Sequence, residues 1–424
     1  MNRISDADAP AHDWYRFVLS FPPHLVREYL EKFRVNSAHV VLDPFCGTGT
    51  TLVECKKNGI PSVGIEANPM AGFATEVKVN WKVRPDALLS HALKISVETA
   101  SKLESDGISD AGLPLFPMKI KVRKNLKTLP EEAMKLLLTD SISPHPLHKI
   151  LTLLETIYEN RLEIITDHEL LALAKTAVFS ASNLAFGPEV GLGRKKEDAP
   201  VIFEWTQEMR RKAEHLKELR QWRDVPATVY HADAREIPRV RPAQSVDFVI
   251  TSPPYPNEKD YTRTTRLESV LLGFIHDRKE LQALKKNLVR SNTRGVYKGD
   301  ADDKWIENFP EIHRIAEEIE AKRIRMGKTS GFERMYARVT RLYFGGMARH
   351  LSEMREVLRP GARLAYVVGD QESYLRVMIP TGELLAKIAQ SLGYRLISID
   401  LFRKRLSTAT RRYLKEEVVV LQWP

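Results

Sequence analysis

Apolar positions cluster in short runs that stop abruptly, and these runs predict strands. His39-Val-Val-Leu-Asp43 and Ser62-Val-Gly-Ile-Glu-Ala67 each carry a continuous apolar stretch of the kind a strand buried on both faces requires. Between them lie a Gly/Thr turn (Phe45-Cys-Gly-Thr-Gly-Thr50) and a helix-forming segment, TLVECKKNG. The pattern is a β-turn-α-β unit, which implies parallel strands with helices on both faces of the sheet. Further along, TVYHADA (228–234) and VDFVITSPPY (246–255) read as two more strands. The second must end at Pro253-Pro254, because proline cannot continue a central strand.

The C-terminal part, 343–424, repeats the alternation. MARHLSEMREVLRPG is an amphipathic helix with a Pro-Gly stop, RLAYVVGD a strand and TGELLAKIAQSLG a helix. RLISIDLF and EEVVVLQW are two final strands, expected as an antiparallel pair at the sheet edge. Near the N-terminus, FPPHLVREYLEKF is a short amphipathic helix leading into the first strand. Together the runs predict a seven-stranded, mostly parallel α/β sheet interrupted by helical inserts. The expected boundaries are a sheet domain from 1–70, 226–255 and 343–424, a helical insert over 71–225, and a basic helical insert over 256–342. A length of 424 residues alone would divide into two or three domains; the motif map favours one interrupted domain instead.

Composition narrows the class. Hydrophobic residues make up 43% and charged residues 28%, as in ordinary globular proteins. No apolar run approaches the ~18–20 residues of a membrane span, and the N-terminus has no apolar signal-peptide core. The only cysteines, Cys46 and Cys55, make no disulfide framework, and no Cys/His spacing fits zinc. The expectation is a reducing, cytoplasmic location and no metal. The net charge of +10 favours an anionic partner, nucleic acid foremost. Its densest blocks are Arg278–Lys298 and Lys322–Arg341, each with seven basic residues against one acidic.

Four strand ends carry candidate chemistry. Gly47 and Gly49 allow the backbone to approach a ligand where a Cβ would clash. The turn is neither GxGxxG nor GxxxxGK[ST], and no lysine follows it, so a cofactor without phosphates fits better. Glu66, about 20 residues on, stands where nucleotide-binding folds place a ribose-binding carboxylate. Asp233 ends the next strand and could accept from an adenine amine or cap the following segment. At Thr251-Ser-Pro-Pro-Tyr255 two prolines fix the backbone. A hydroxyl and a carbonyl there make two acceptors for one NH₂ group, and Tyr255 offers a ring for stacking on a base.

DPFCGTG together with TSPPY resembles the S-adenosylmethionine-dependent amino-methyltransferases of DNA, which act on N4 of cytosine or N6 of adenine. The resemblance covers about half of the chain and leaves the inserts unmatched. It implies a Rossmann-like class I methyltransferase fold, with S-adenosylmethionine as cofactor and DNA as partner. Phe45, Cys46, Gly47 and Gly49, after Asp43, would line the methionine and ribose. Glu66 would bind the ribose, and Asp233 with Ala234 would flank the adenine. Phe17 and Phe21 would close over the methionine end. Ser252, Pro253, Pro254 and Tyr255 would hold a flipped target base. Ser252 favours cytosine over adenine. RNA methylation and a non-catalytic DNA-binding subunit stay open as alternatives. For DNA contact the candidates are Arg263, Arg290, Arg294, Arg334, Arg338 and Arg341. Arg334, Arg338 and Arg341 are spaced i, i+4, i+7, as on one helix face. A cognate restriction endonuclease or other defence-system component is the implied protein partner. Recognition sequence and oligomeric state are not readable from the chain.

Overall fold

The computed structural model describes residues 5–16, 20–110, 126–187, 189–257, 259–407 and 410–424. They form two compact units, each assembled from separated stretches of chain.

The sheet unit comprises Pro23–Asn68, Val225–Tyr261 and Ala283–Pro424. Its seven strands are β1 (Val41–Asp43), β2 (Ser62–Glu66), β3 (Ala227–His231), β4 (Val246–Thr251), β5 (Leu358–Gly369), β6 (Arg395–Leu406) and β7 (Tyr413–Gln422). They lie in the order β3-β2-β1-β4-β5-β7-β6. The first five are parallel, and β7 runs antiparallel between β5 and the edge strand β6. This is the Rossmann-like α/β arrangement expected from the apolar runs, with the final pair at the edge. Strand order reverses between β1 and β4, where Val41 pairs with both Ser62 and Phe248. The carboxyl ends of β1 and β4 therefore flank the crevice where open α/β sheets bind ligands.

Five helices position this sheet: α1 (Pro23–Lys32), α2 (Thr50–Lys57), α3 (Pro310–Arg325), α4 (Tyr336–Val357) and α5 (Thr381–Ser391). Helix α4 buries Val339, Tyr343, Met347, Leu351 and Met354 completely. Their i, i+4 and i+3 spacing continues the apolar face N-terminal to residue 343, so the helix begins earlier than its expected start. Ile312, Ala316 and Ile319 of α3 are fully buried in the same core. Residues 283–342 thus belong to the sheet unit, which differs from the expected separate insert over 256–342. The physical reason is that the apolar stripe of α3 is covered by α4.

The helical unit comprises Met1–Pro22, Pro69–Asp224 and Thr262–Gln282. Its main helices are Pro69–Val79, Pro85–Ser105, Pro144–Glu159, Thr166–Lys175 and Val201–Leu219. Within the expected helical insert lies a two-stranded ribbon, Leu184–Phe186 with Val190–Leu192. The first residues of the chain join this unit, not the sheet. Trp14 is 1% exposed, and its Nε1 donates to His215 Nδ1 at 3.0 Å. Tyr15 donates to the buried Glu268 carboxylate. Among the described residues, no helix is long and apolar enough to cross a membrane.

Candidate cofactor and base-binding site

The two motif-bearing strands are joined at their carboxyl ends. Asp43, the last residue of β1, is fully buried. Its carboxylate accepts from Phe45 N at 3.1 Å and from Thr251 Oγ1, at the end of β4, at 2.6 Å. Thr51 Oγ1 of α2 donates back to Ile250 O of β4 at 3.2 Å. These bonds fix the Asp43–Gly49 turn beside the turn that begins at Ser252. Burial pushes the Asp43 carboxyl up to about 6, against the opposing pull of those donors. Asp43 is thus a pin between turns.

The turn itself needs its glycines. Gly47 has φ +52° and Gly49 φ +80°, the left-handed region that side chains disfavour. Gly49 opens α2 and donates to Cys46 O at 2.7 Å. Glu66, at the end of β2, accepts from Gly47 N through one oxygen and from Asn68 N through the other, each at 2.8 Å. Burial raises its carboxyl to about 7. A carboxylate oxygen has a second lone pair, so Glu66 keeps acceptor capacity at this turn. Cys46 is buried, and a Cβ on Gly64 of β2 would stand 2.8 Å from its Sγ. The thiol therefore packs against β2, and Cys46 is suited to contribute only backbone to a ligand.

Ala234 and Phe45 share a support that the sequence did not single out. His350 of α4 is fully buried and placed between Ala234 O and Tyr366 Oη, 2.7 Å from each. Its ring lies 4.8 Å from that of Phe45. Burial pushes the imidazole down to about 4, so it is neutral at pH 7. A carbonyl can only accept, which fixes Nδ1 as the protonated nitrogen and Nε2 as acceptor from Tyr366. An amphipathic helix offers no sequence signal for such a histidine.

Asp233 departs from its expected role. Its carboxylate is taken by Arg235, whose Nε lies 2.9 and 3.1 Å from the two oxygens and whose Nη2 lies 2.6 Å from one. Arg235 N also donates to it at 2.9 Å. Arg235 is buried and further bonded to Asp302 and to Lys286 O. The bidentate pair takes up acceptor positions on both oxygens of the carboxylate. The turn-capping reading fits this geometry better. Arginine two residues after the aspartate was the available signal.

At the end of β4, Pro253 is buried and Ser252, Pro254 and Tyr255 are half-buried. Ser252 Oγ donates to Val367 O of β5 at 3.2 Å. With its proton so directed, the oxygen presents lone pairs to anything else nearby. Tyr255 packs at Gly369, where a Cβ would come within 3.2 Å of its ring. Burial holds the Tyr255 hydroxyl well above its ordinary range, so it stays protonated. Tyr374 Oη donates to Ser291 O at 2.8 Å and lies 3.3 Å from Asn257 O, bracing the segment after the motif.

Phe17 lies outside the described residues. Phe21 is half-buried and belongs to the helical unit.

The proposed DNA contacts divide. Arg290 is 4% exposed; it grips Asp300 through Nε at 2.9 Å and Nη2 at 2.8 Å, and donates to the carbonyls of Lys285, Lys286 and Leu288. This corrects its expected role: burial and internal bonding leave it nothing for a phosphate. Arg338 donates to the carbonyls of Tyr297, Lys298 and Asp300, so it too braces a loop. Arg294 lies over the Phe332 ring at 5.4 Å. Arg334 is exposed, but in a 3-10 turn, Glu333–Met335, that precedes α4. It therefore does not share a continuous α-helix with Arg338 and the half-buried Arg341. Arg263 belongs to the helical unit and faces Glu189 at 3.3 Å.

Comparison with known proteins agrees with the motif reading. A family model described as DNA methylase matches residues 6–71. Over 450 residues the chain is 26% identical to Type II methyltransferase M.BsoBI of Geobacillus stearothermophilus, covering 97% of this chain and 84% of that one. It is 23% identical over 457 residues to Type II methyltransferase M.AvaI of Nostoc sp., covering 98% and 87%. A 68-residue stretch, 16% of this chain and 13% of the other, is 41% identical to Type II methyltransferase M.MjaII of Methanocaldococcus jannaschii.

Proposed function

We propose that the chain is a DNA amino-methyltransferase of the N4-cytosine/N6-adenine kind, as its similarity to the DNA methylase model and to type II methyltransferases supports, and that it methylates N4 of a flipped cytosine in DNA. The observation that carries this reading is the Asp43–Thr251 bond, which joins the glycine turn to the Ser252–Tyr255 turn.

The residues fit S-adenosylmethionine. The left-handed glycines at 47 and 49 open the backbone to close approach, and the turn lacks the lysine a phosphate would need. Glu66 would accept from the ribose hydroxyls, while Phe45 and Ala234, both braced by His350, would flank the methionine and adenine ends. When bound, this cofactor supplies a methyl group on a sulfonium sulfur.

The chain's own residues would then make the amine reactive. A cytosine N4 lone pair is conjugated with the ring, so the nitrogen is a poor nucleophile. Ser252 Oγ, its proton directed to Val367 O, and the Pro253 carbonyl would each accept one N–H. Those bonds favour a pyramidal nitrogen and stabilise the positive charge developing on it. Tyr255, protonated and packed against Gly369, would stack on the base. Fixing nitrogen and methyl in line supplies proximity and orientation. The methyl transfer the bound cofactor would support exchanges its S–C bond for an N–C bond on the base, and the amine proton would leave to solvent. A base inside a duplex cannot reach this turn, so it must be extruded.

Serine at the first motif position supports cytosine; adenine N6 is the second reading. Mass analysis of nucleosides from DNA treated with the protein tests the choice. N4-methylcytosine is expected, and N6-methyladenine as the only product overturns it. With DNA and RNA offered side by side, label entering only RNA overturns DNA as substrate. The type II relatives point to a restriction endonuclease of matching specificity, or another defence component, as functional partner.

A further inference from the structure

We propose that the β6–β7 hairpin is an arm that grips duplex DNA beside the target base; this rests on the reading of DNA as substrate. From Arg403 to Lys415 the chain holds six basic residues, Arg403, Lys404, Arg405, Arg411, Arg412 and Lys415, and no acidic one. All six are exposed.

Register places the arm. Gly369, the last residue of β5, pairs with Glu416, whereas the hairpin still pairs at Leu406 with Tyr413. The ribbon thus runs three residues past the carboxyl end of β5, about 10 Å at strand spacing. Because β4 and β5 are parallel, that is the end at which β4 delivers Ser252–Tyr255. The contact of Tyr255 with Gly369 ties the motif to the base of the arm.

The two faces of the ribbon differ. On the inner face Arg403 and Arg405 lean on the buried Glu416, and Leu414 is buried. The outer face carries Lys404 opposite Lys415 and Leu406 opposite Tyr413. Leu406 is 53% and Tyr413 66% exposed. Like charges directly opposite each other on neighbouring strands destabilise a sheet. Lys415 is eased by Glu417 at 3.3 Å, but Lys404 and Arg411 have no ion pair among the described residues. Arg412 reaches Glu372 only at 3.7 Å. A protruding ribbon crowded with cations has an electrostatic deficit that a polyanion relieves, and a two-stranded ribbon fits the width of a DNA major groove. By contrast, Arg290 and Arg338 in the blocks 278–298 and 322–341 are already bonded to the protein itself.

The test compares the full-length protein with the triple variant Lys404→Ala, Arg411→Ala, Arg412→Ala. A control variant removes three cations at the opposite end of the sheet or its flanking helix, by Lys57→Ala, Arg363→Ala, Arg395→Ala. Binding to a long unmethylated duplex is measured across salt, with thermal unfolding and calorimetric cofactor binding alongside. Each lost phosphate contact lowers the slope of log affinity against log salt by ~0.9. The arm variant should lose up to about 2.7 of that slope, which shrinks the fall in affinity between 50 and 200 mM salt by roughly 40-fold. Melting and cofactor affinity should match wild type, and the control should keep the wild-type slope. A folded arm variant whose slope equals the control's overturns the arm while leaving the methyltransferase reading intact. Wild-type protein that binds cofactor but no duplex DNA overturns the substrate reading and the arm with it.

Discussion

The Lys212 cluster of the helical unit and the ligand end of the sheet hold buried charge in opposite ways. The helical unit holds 29 Lys and Arg against 28 Asp and Glu, the sheet unit 36 against 27, so nearly all of the excess cation lies with the sheet. Around Lys212 in the helical unit the buried charges face one another. Lys212, fully buried, donates to His168 O at 2.7 Å and lies over the Trp14 ring at 5.7 Å, with Glu208 and Glu169 nearby. Glu169 meets His91 at 2.6 Å, and Lys175 meets Asp13 and Glu208. At the sheet's ligand end, the buried Asp43 and the largely buried Glu66 have no ion pair among the described residues. Only hydroxyl and amide donors hold them, and burial raises both. A closed network of opposite charges serves packing. Carboxylates held by neutral donors alone are still short of hydrogen bonds, which a ligand can supply.

The largest expected effect tests the sheet side. Ser252→Ala should lower methyl transfer by about 100- to 1,000-fold, as loss of one transition-state hydrogen bond does. Calorimetric cofactor affinity should hold; an equal loss there would contradict its assignment to the base. Next comes Gly345→Ala. A Cβ on Gly345 of α4 would lie 1.9 Å from Asp302 O, a backbone atom that cannot rotate away. About 1–3 kcal/mol of stability should be lost, read from denaturant unfolding. An undiminished midpoint would show that the Asp302 turn is not pinned there.

A smaller effect follows from Glu66, near 7 in the free protein. Ribose hydroxyls donate to the ionised form. Binding therefore favours deprotonation, and cofactor affinity should rise with pH, by roughly tenfold between pH 6 and 8. Calorimetry at those pH values should show this rise in wild type and a flat profile in Glu66→Gln. A flat wild-type profile would remove the ribose role.

The smallest concerns Lys212, whose ammonium is held well below its ordinary value by burial. In the window between that depressed value and the unfolded ~10.4, the unfolded chain binds more protons, so stability rises with pH. Lys212→Met should flatten this alkaline rise in urea melts without changing methyl transfer per folded molecule. A fall in transfer would break the contrast between the units.

Much of the sheet could be read from the chain because its strands are apolar runs that end at Pro or Gly, as at Pro253 and Gly369. The ligand end was legible for the same reason: Gly47, Gly49 and Pro253-Pro254 are backbone requirements written as residue types. What depends on distant partners was not. The stripe of α3 is covered by a helix that follows it by a dozen residues, so 283–342 looked like a separate insert. The density of arginines could not reveal that Asp300 captures Arg290 and Arg235 captures Asp233. The basic run 403–415 is legible in the chain, but its projection past β5 depends on the register of β6 with β7, which only the folded sheet sets.

The chain passes between the two units five times, and this orders events at the ribosome. β1 pairs with β4, and Val40 N bonds the Asp247 carboxylate at 2.7 Å, across about 200 residues. At ~5–20 residues per second, the finished β1–β2 unit would wait roughly 10–40 s for its central neighbour to emerge. Through that interval the Leu42 edge stays unpaired, while the intervening helices can already fold among themselves. The nascent protein is thus most exposed to aggregation midway through its synthesis, and holdase chaperones would meet it there.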